Sequence, residues 1–172
     1  RSSYVKIIKL GDEVLHKTAA PVENIDEELE RFTTAMFEAM YRGNGIGLAA
    51  PQVAELRRVF ICHVNNDIPR VFINPEIIET SPELVTYEEG CLSIPGVYED
   101  LVRPAFVKVQ AWNLKGKPFT LDAEGMLARV IQHELDHLNG VLFIDKLPEQ
   151  VRERVIRQYG RRHGGRKASS RA

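Results

Sequence analysis

The stretch Gln132-His133-Glu134-Leu135-Asp136-His137 sets how the rest of the chain is read, because residue type and spacing together dictate a chemistry there. On a helix, residues four apart share a face with Cβ atoms about 5–6 Å apart, so His133 and His137 reach one metal ion. That supplies half of a metal site. Glu134 is turned roughly a third of a turn away, which places its carboxylate beside the ion, where it can take a proton from a metal-bound water. It is the candidate general base.

The flanks support a helix over about 124–138, with Asp122 as N-cap, Glu124 in the first turn and Asn139-Gly140 as the stop. Met126, Val130, His133 and His137 fall on one face. Leu127, Ile131, Leu135 and Leu138 fall on the other, so both sides are apolar and the helix is expected at the centre of the fold.

The 172 residues are enough for one domain with a single core. A composition 44% hydrophobic and 27% charged is that of a globular chain, and no apolar run approaches the length of a membrane span. Arg1-Ser2-Ser3-Tyr4 begins no signal peptide. The expectation is a cytoplasmic protein, or an organellar one if a transit peptide has been removed. It is expected to be a monomer without a membrane partner.

Two cysteines fit a reducing compartment. Cys62 ends the apolar run Val59-Phe60-Ile61-Cys62 and reads as a buried structural thiol. Cys91 lies in Glu88-Glu89-Gly90-Cys91-Leu92-Ser93, read as a turn without core periodicity, and is the candidate third ligand. Two His and one Cys leave a fourth position open, the pattern of a catalytic site rather than a structural one.

Taken in order, Val5–Leu10 is expected as a strand and residues 11–22 as loop, with His16 in solvent. Asp26 caps a helix in which Leu29, Phe32, Met36 and Met40 recur at helical spacing, ending near Gly43. The glycine-rich stretch 43–52 follows no strand, so it is not a phosphate-binding loop. Val59–Val64 and Val71–Asn74 read as a hairpin. Further extended runs come at 77–78, 84–87, 97–102, 106–112 and 119–121, then the metal helix, a short strand at Val141–Ile144, and a last helix from Leu147-Pro148. The class is α+β: mostly antiparallel β-sheets packed around a central buried helix, with an N-terminal and a C-terminal helix. The domain is expected over 1–160. Residues 161–172 hold five basic and no acidic residues and are expected to be a disordered tail. Against a net charge of −1, that +5 segment leaves a body of about −6.

Three separated segments, Gly45-Ile46-Gly47-Leu48-Ala49-Ala50-Pro51-Gln52, Glu89-Gly90-Cys91-Leu92-Ser93 and Gln132–His137, together resemble in order and spacing the three motifs of the peptide deformylases. The resemblance implies a hydrolase that removes the formyl group from N-formyl-methionyl nascent peptides and releases formate. By that similarity Cys91, His133 and His137 hold the metal and Glu134 shuttles the proton. The metal is Fe²⁺ in this family, with Ni²⁺, Co²⁺ or Zn²⁺ able to replace it. The Gln52 amide and the Leu92 backbone N–H would donate to the oxygen that becomes negative. Meeting nascent chains also suggests ribosome association through the C-terminal helix and basic tail.

The residues read by themselves agree on the substrate side. Met126 and Val130 should line an apolar pocket beside the metal, with Ile46 and Gly47 as the opposite wall, and a linear Met side chain suits it. Glu89 and Gly90 are assigned to the same substrate-binding set. The chain departs from many bacterial members at Gly96-Val97-Tyr98, where they carry an Arg. Two other classes stay open: a zinc endopeptidase taking a downstream carboxylate such as Asp145 as third ligand, and a binding module whose basic tail works on RNA.

Overall fold

Apolar residues at alternating positions between 59 and 124 build the scaffold in the computed structural model, which describes residues 4–163. Strands β1 (Gly47–Ala49), β2 (Val59–Cys62), β3 (Arg70–Thr80), β6 (Phe106–Trp112) and β7 (Pro118–Glu124) form one antiparallel sheet in the order β1-β2-β3-β6-β7. Strands β4 (Leu84–Cys91) and β5 (Ile94–Pro104) pair only with each other, as a separate two-stranded sheet. The class is the expected α+β, and the 59–74 hairpin is present, in the register Val59↔Ile73 and Ile61↔Val71.

Helix α1 (Glu27–Arg42) starts at Asp26, whose carboxylate accepts from the Leu29 N–H, and buries Leu29, Phe32, Met36 and Met40. Helix α2 (Gly125–Leu138) carries the histidines. The five-stranded sheet lies between these two helices. Val59 and Ile61 cluster with the α1 residues, while Phe60 and Cys62 cluster with Ala128, Ile131 and Leu138 of α2. That two-sided cover explains why β2 is apolar at all four positions rather than alternating. Ile131 and Leu138 are fully buried, contributing roughly 1.5–3 kcal/mol each. Helix α2 is thus packed against one face of the sheet by its buried residues.

Helix α3 (Glu149–Arg162) packs Val155, Ile156 and Tyr159 into a third cluster with Ile94, Val97 and Leu101 of β5. It runs two residues beyond the expected domain boundary at 160, and the rest of the expected tail, 164–172, lies outside the described residues.

Several local expectations are corrected. The cap of α2 is Glu124, without a side-chain bond, because β7 continues through Asp122 and breaks only where Gly125 takes φ +61°. Val141–Ile144 contains no strand. A 3-10 turn, Phe143–Lys146, follows instead, closed by the Asp145 carboxylate accepting from the Leu142 N–H at 2.8 Å. Cys91 ends a strand rather than sitting in a turn, with an irregularity between Glu89 and Cys91 in the β4–β5 register.

Val5–Leu10 forms no ladder either. Its side chains divide between two cores, Val5 and Ile7 going to the α1 cluster and Ile8 and Leu10 to the α3 cluster. Its backbone makes single bonds to two other loops, Ile8 N–H to Gln52 O and Leu10 N–H to Ser93 O, each 2.8 Å.

Candidate metal centre

Sequence spacing of four on α2 brings the His133 and His137 rings to a centroid distance of 5.1 Å. The end of β4 brings Cys91 to them, with its Sγ 3.4 Å from His137 Nε2. One donor atom from each of Cys91, His133 and His137 lies within 4.8 Å of the others, so a single ion fits among them. The donor set is one thiolate and two imidazoles, suited to a borderline-soft divalent metal.

The surroundings fix which ring nitrogen is free. His133 Nδ1 donates to Glu89 Oε1 at 3.0 Å, leaving Nε2 for the cysteine side. Burial would pull the His133 pKa down, but the bonds to Cys91 and Glu89 outweigh it and raise it well above the usual value. The site thus attracts positive charge at the place where an ion would sit. Burial, aided by the charge of His133, lowers His137 well below its ordinary range, keeping that ring neutral as a ligand must be. Its Nδ1 is buried without a hydrogen-bond partner among the described residues.

Glu89 is held on three sides. Burial pushes its carboxyl up, yet the bonds from His133 and Arg103 hold it well below the usual carboxylate range. Arg103 reaches it with Nε at 2.5 Å and Nη2 at 3.0 Å, and Arg129 Nη1 at 2.7 Å. Arg103 Nη1 also donates to Asp136 Oδ2 at 2.9 Å. Asp136, on the histidine helix, is thereby drawn into this network. Glu89 does line the cleft, but its carboxylate, expected on the substrate side, is turned instead onto His133 and the two arginines.

Glu134 is different. Its Oε1 is buried with no hydrogen-bond partner among the described residues, and burial pushes its pKa up to about 7, against the opposing charge of His133. Glu134 shares a cleft of about 630 Å³ with Cys91, His133, Gln52, Val130 and Met126. Gly47 forms its near wall so tightly that a Cβ there would come within 2.6 Å of Glu134 Oε2 and 2.8 Å of Val130 Cγ1. At Gly47 the backbone comes up to the Glu134 carboxylate, which leaves no room for a side chain at that position.

The other expected residues converge on the same place. Gln52 is buried in a 3-10 turn (Ala50–Val53); its Oε1 accepts from the Ala49 N–H at 2.9 Å, which aims Nε2 at Cys91 Sγ, 3.4 Å away, and Ser93 Oγ, 3.1 Å away. Leu92 spreads its side chain over Gly45, where a Cβ would meet Cδ1 at 2.6 Å. Ile46, Gly47, Gly90, Met126 and Val130 all line the cleft. Cys62 is fully buried, its thiol pushed up to about 12 by burial, and it contributes no donor to the cluster. Asp145 bonds to Leu142 and Arg152 and is not in the cluster found among the described residues, so it does not serve as the third ligand of an endopeptidase reading.

Sequence reading missed Arg103, Arg129, Ser93 and the orienting role of Glu89. The one signal available for them was a pair of arginines within otherwise apolar stretches, since arginine is seldom fully buried unless paired.

Comparison with known proteins agrees with this geometry. The polypeptide deformylase family model matches residues 4–153. The peptide deformylase of Chromobacterium violaceum is 50% identical over 153 residues, 88% of this chain and 91% of the relative. That of Neisseria meningitidis is 48% identical over the same shares. A peptide deformylase from Synechococcus elongatus, solved in complex with actinonin, has a TM-score of 0.88 at 41% identity, covering 92% of this chain and 89% of that one. One from Ehrlichia chaffeensis has a TM-score of 0.91 at 33% identity, covering 94% and 97%. A match of that extent at that identity is a statement of kinship, and the chain belongs to the polypeptide deformylase family.

Proposed function

We propose that this chain hydrolyses the formamide at the N-terminus of formyl-methionyl polypeptides, with Cys91, His133 and His137 holding a divalent metal and Glu134 moving the proton. The observation that carries the reading is Glu134 Oε1, buried without a partner among the described residues, in the same cleft as Cys91 and His133 of the Cys-His-His cluster. When bound there, the metal supplies Lewis-acid chemistry that activates water and polarises the formyl oxygen.

The chain's own residues do the rest. Glu134 accepts the proton of the attacking water and delivers it to the departing amine nitrogen, so that water and the formamide become formate and a free amino terminus. A carboxyl held near neutrality suits both directions of transfer. Gln52 Nε2 and the Leu92 N–H are the donors to the formyl oxygen as it gains charge. Glu89 fixes the tautomer of His133. Met126 and Val130 accept the methionine side chain against the Ile46-Gly47 wall, and Gly90, packed under the Tyr98 ring, lines the cleft on the hairpin side where the peptide backbone would run.

Family likeness favours Fe²⁺ as the ion, with Ni²⁺, Co²⁺ or Zn²⁺ able to occupy the same donors. A thiolate-ligated Fe²⁺ site should lose activity in air, and Ni²⁺ or Co²⁺ should preserve it. The reaction belongs where formylated chains are made, in a bacterial cytoplasm or an organelle, by a monomer that meets its substrate near the ribosome.

The test compares formate release from a formyl-Met peptide with cleavage of an unformylated one, with metal content measured in parallel. Cys91→Ser should lose both metal and formate release, and Cys62→Ala should keep both. Backbone cleavage of the unformylated peptide, or equal loss in the two variants, would sink the reading.

A further inference from the structure

The donor set is split across a seam. Cys91 comes from the β4–β5 sheet, His133 and His137 come from α2, and no strand pairing joins the two-stranded sheet to the five-stranded one. Something must set the distance from the cysteine strand to the histidine helix. Side chains cross that seam from α2, and Arg129 crosses it most fully. Its guanidinium donates from Nη1 to Leu101 O on β5 at 2.8 Å and to Glu89 Oε2 on β4 at 2.7 Å, and from Nη2 to Val85 O on β4 at 2.8 Å. The residue is buried at 7% exposure, and the Tyr87 ring of β4 lies 5.9 Å from its guanidinium carbon.

Two of these acceptors are backbone carbonyls, one on each strand of the hairpin, and the third is the carboxylate that orients His133. The rigid planar fork reaches all three from one place, which a single ammonium does not match. The other cation on Glu89, Arg103, stands on β5 within the hairpin itself. It therefore holds Glu89 in its own sheet and reaches α2 through Asp136.

We propose that Arg129 is a positioning residue for the metal centre, clasping both strands of the cysteine hairpin to the histidine helix and so setting how long the ion stays bound. The inference rests on the assignment of Cys91, His133 and His137 as ligands.

The experiment loads the full chain with Co²⁺ or Ni²⁺ and follows its transfer to an excess of coloured chelator. Alkylation of Cys91 is followed alongside. Arg129→Met, which keeps length and loses every donor, should release the ion about 10–100-fold faster, the range for loss of an outer-shell partner. Cys91 should become alkylated in step with the release. Arg129→Lys keeps the charge but not the fork and should fall between Met and parent, so it tests the clasp even if the Met variant does not fold. Arg57→Met, which breaks the ion pair with Glu28 at 2.8 Å, should release at the parent rate. Release from both Arg129 variants within twofold of parent, with only the melting temperature lowered, would overturn the clasp and leave Arg129 structural. A parent chain that takes up no ion would overturn the ligand assignment itself, and the clasp with it.

Discussion

Glu134 Oε1 and His137 Nδ1 are both buried without a partner among the described residues, yet only the first faces proposed work that needs a lone pair. Replacing it by an amide keeps shape and burial while removing the proton acceptor. Glu134→Gln should therefore retain its metal by elemental analysis and lose about 10²–10⁴-fold in kcat. Cys62 offers a second measurement. Its folded pKa is raised to about 12 from an ordinary 9.0, so below pH 9 the thiol is protonated in both states and contributes no slope. As pH rises from about 9 to 12 the unfolded chain sheds the proton and the folded chain keeps it, so stability falls by up to about 1.4 kcal/mol per pH unit. Denaturant melts of the parent should show that decline, and Cys62→Ala should flatten it. The four residues proposed for the chemistry were legible because i, i+4 spacing and an isolated non-core cysteine are local properties. The Glu89–Arg103–Arg129 lattice was not, since its partners lie 14 and 40 residues apart and meet only through the β4–β5 register and its docking on α2.

At the scale of elements, periodicity identified α1, α2, α3 and most strands, while the misreadings fall where local pattern and tertiary partner disagree. Val5–Leu10 has the composition of a strand but splits its side chains between two cores, and Val141–Ile144 is too short for its apolar run to distinguish strand from turn. Asp122 has the chemistry of a cap, yet it pairs with Lys108 across β6–β7. The glycine stretch reads from sequence as one wall of the substrate pocket, and β1 shows how close that wall comes. A methyl group at Gly47 collides with the Glu134 carboxylate and with Val130, both on the helix that bears the histidines. Gly47→Ala should thus reduce kcat at least tenfold by displacing the proton shuttle, since about 1.4 kcal/mol of misplacement suffices for that. Steady-state kinetics would show it, and metal content should stay near parent.

On the scale of the whole molecule, charge is distributed unevenly. Helix α3 turns Arg157, Arg161 and Arg162 to solvent, next in sequence to further basic residues, while the rest of the chain is net acidic. If this end meets ribosomal RNA, Arg157→Glu with Arg161→Glu, or removal of residues 164–172, should weaken ribosome association at low salt. That difference should vanish as salt rises, with short-peptide activity unchanged. Co-sedimentation across a salt series decides it, and a difference independent of salt would remove the electrostatic account. At the other end of the chain, residues 4–10 form no part of any sheet and line no part of the cleft, yet the Ile8 and Leu10 amides are tied to Gln52 in its 3-10 turn and to Ser93 in the turn after Cys91. Residues 8 and 10 therefore act as a tether shared by the two turns. Loss of residues 4–10 would remove both ties at once while leaving Cys91, His133, His137 and Glu134 in the chain, so the order of the site is borrowed in part from residues that never touch it.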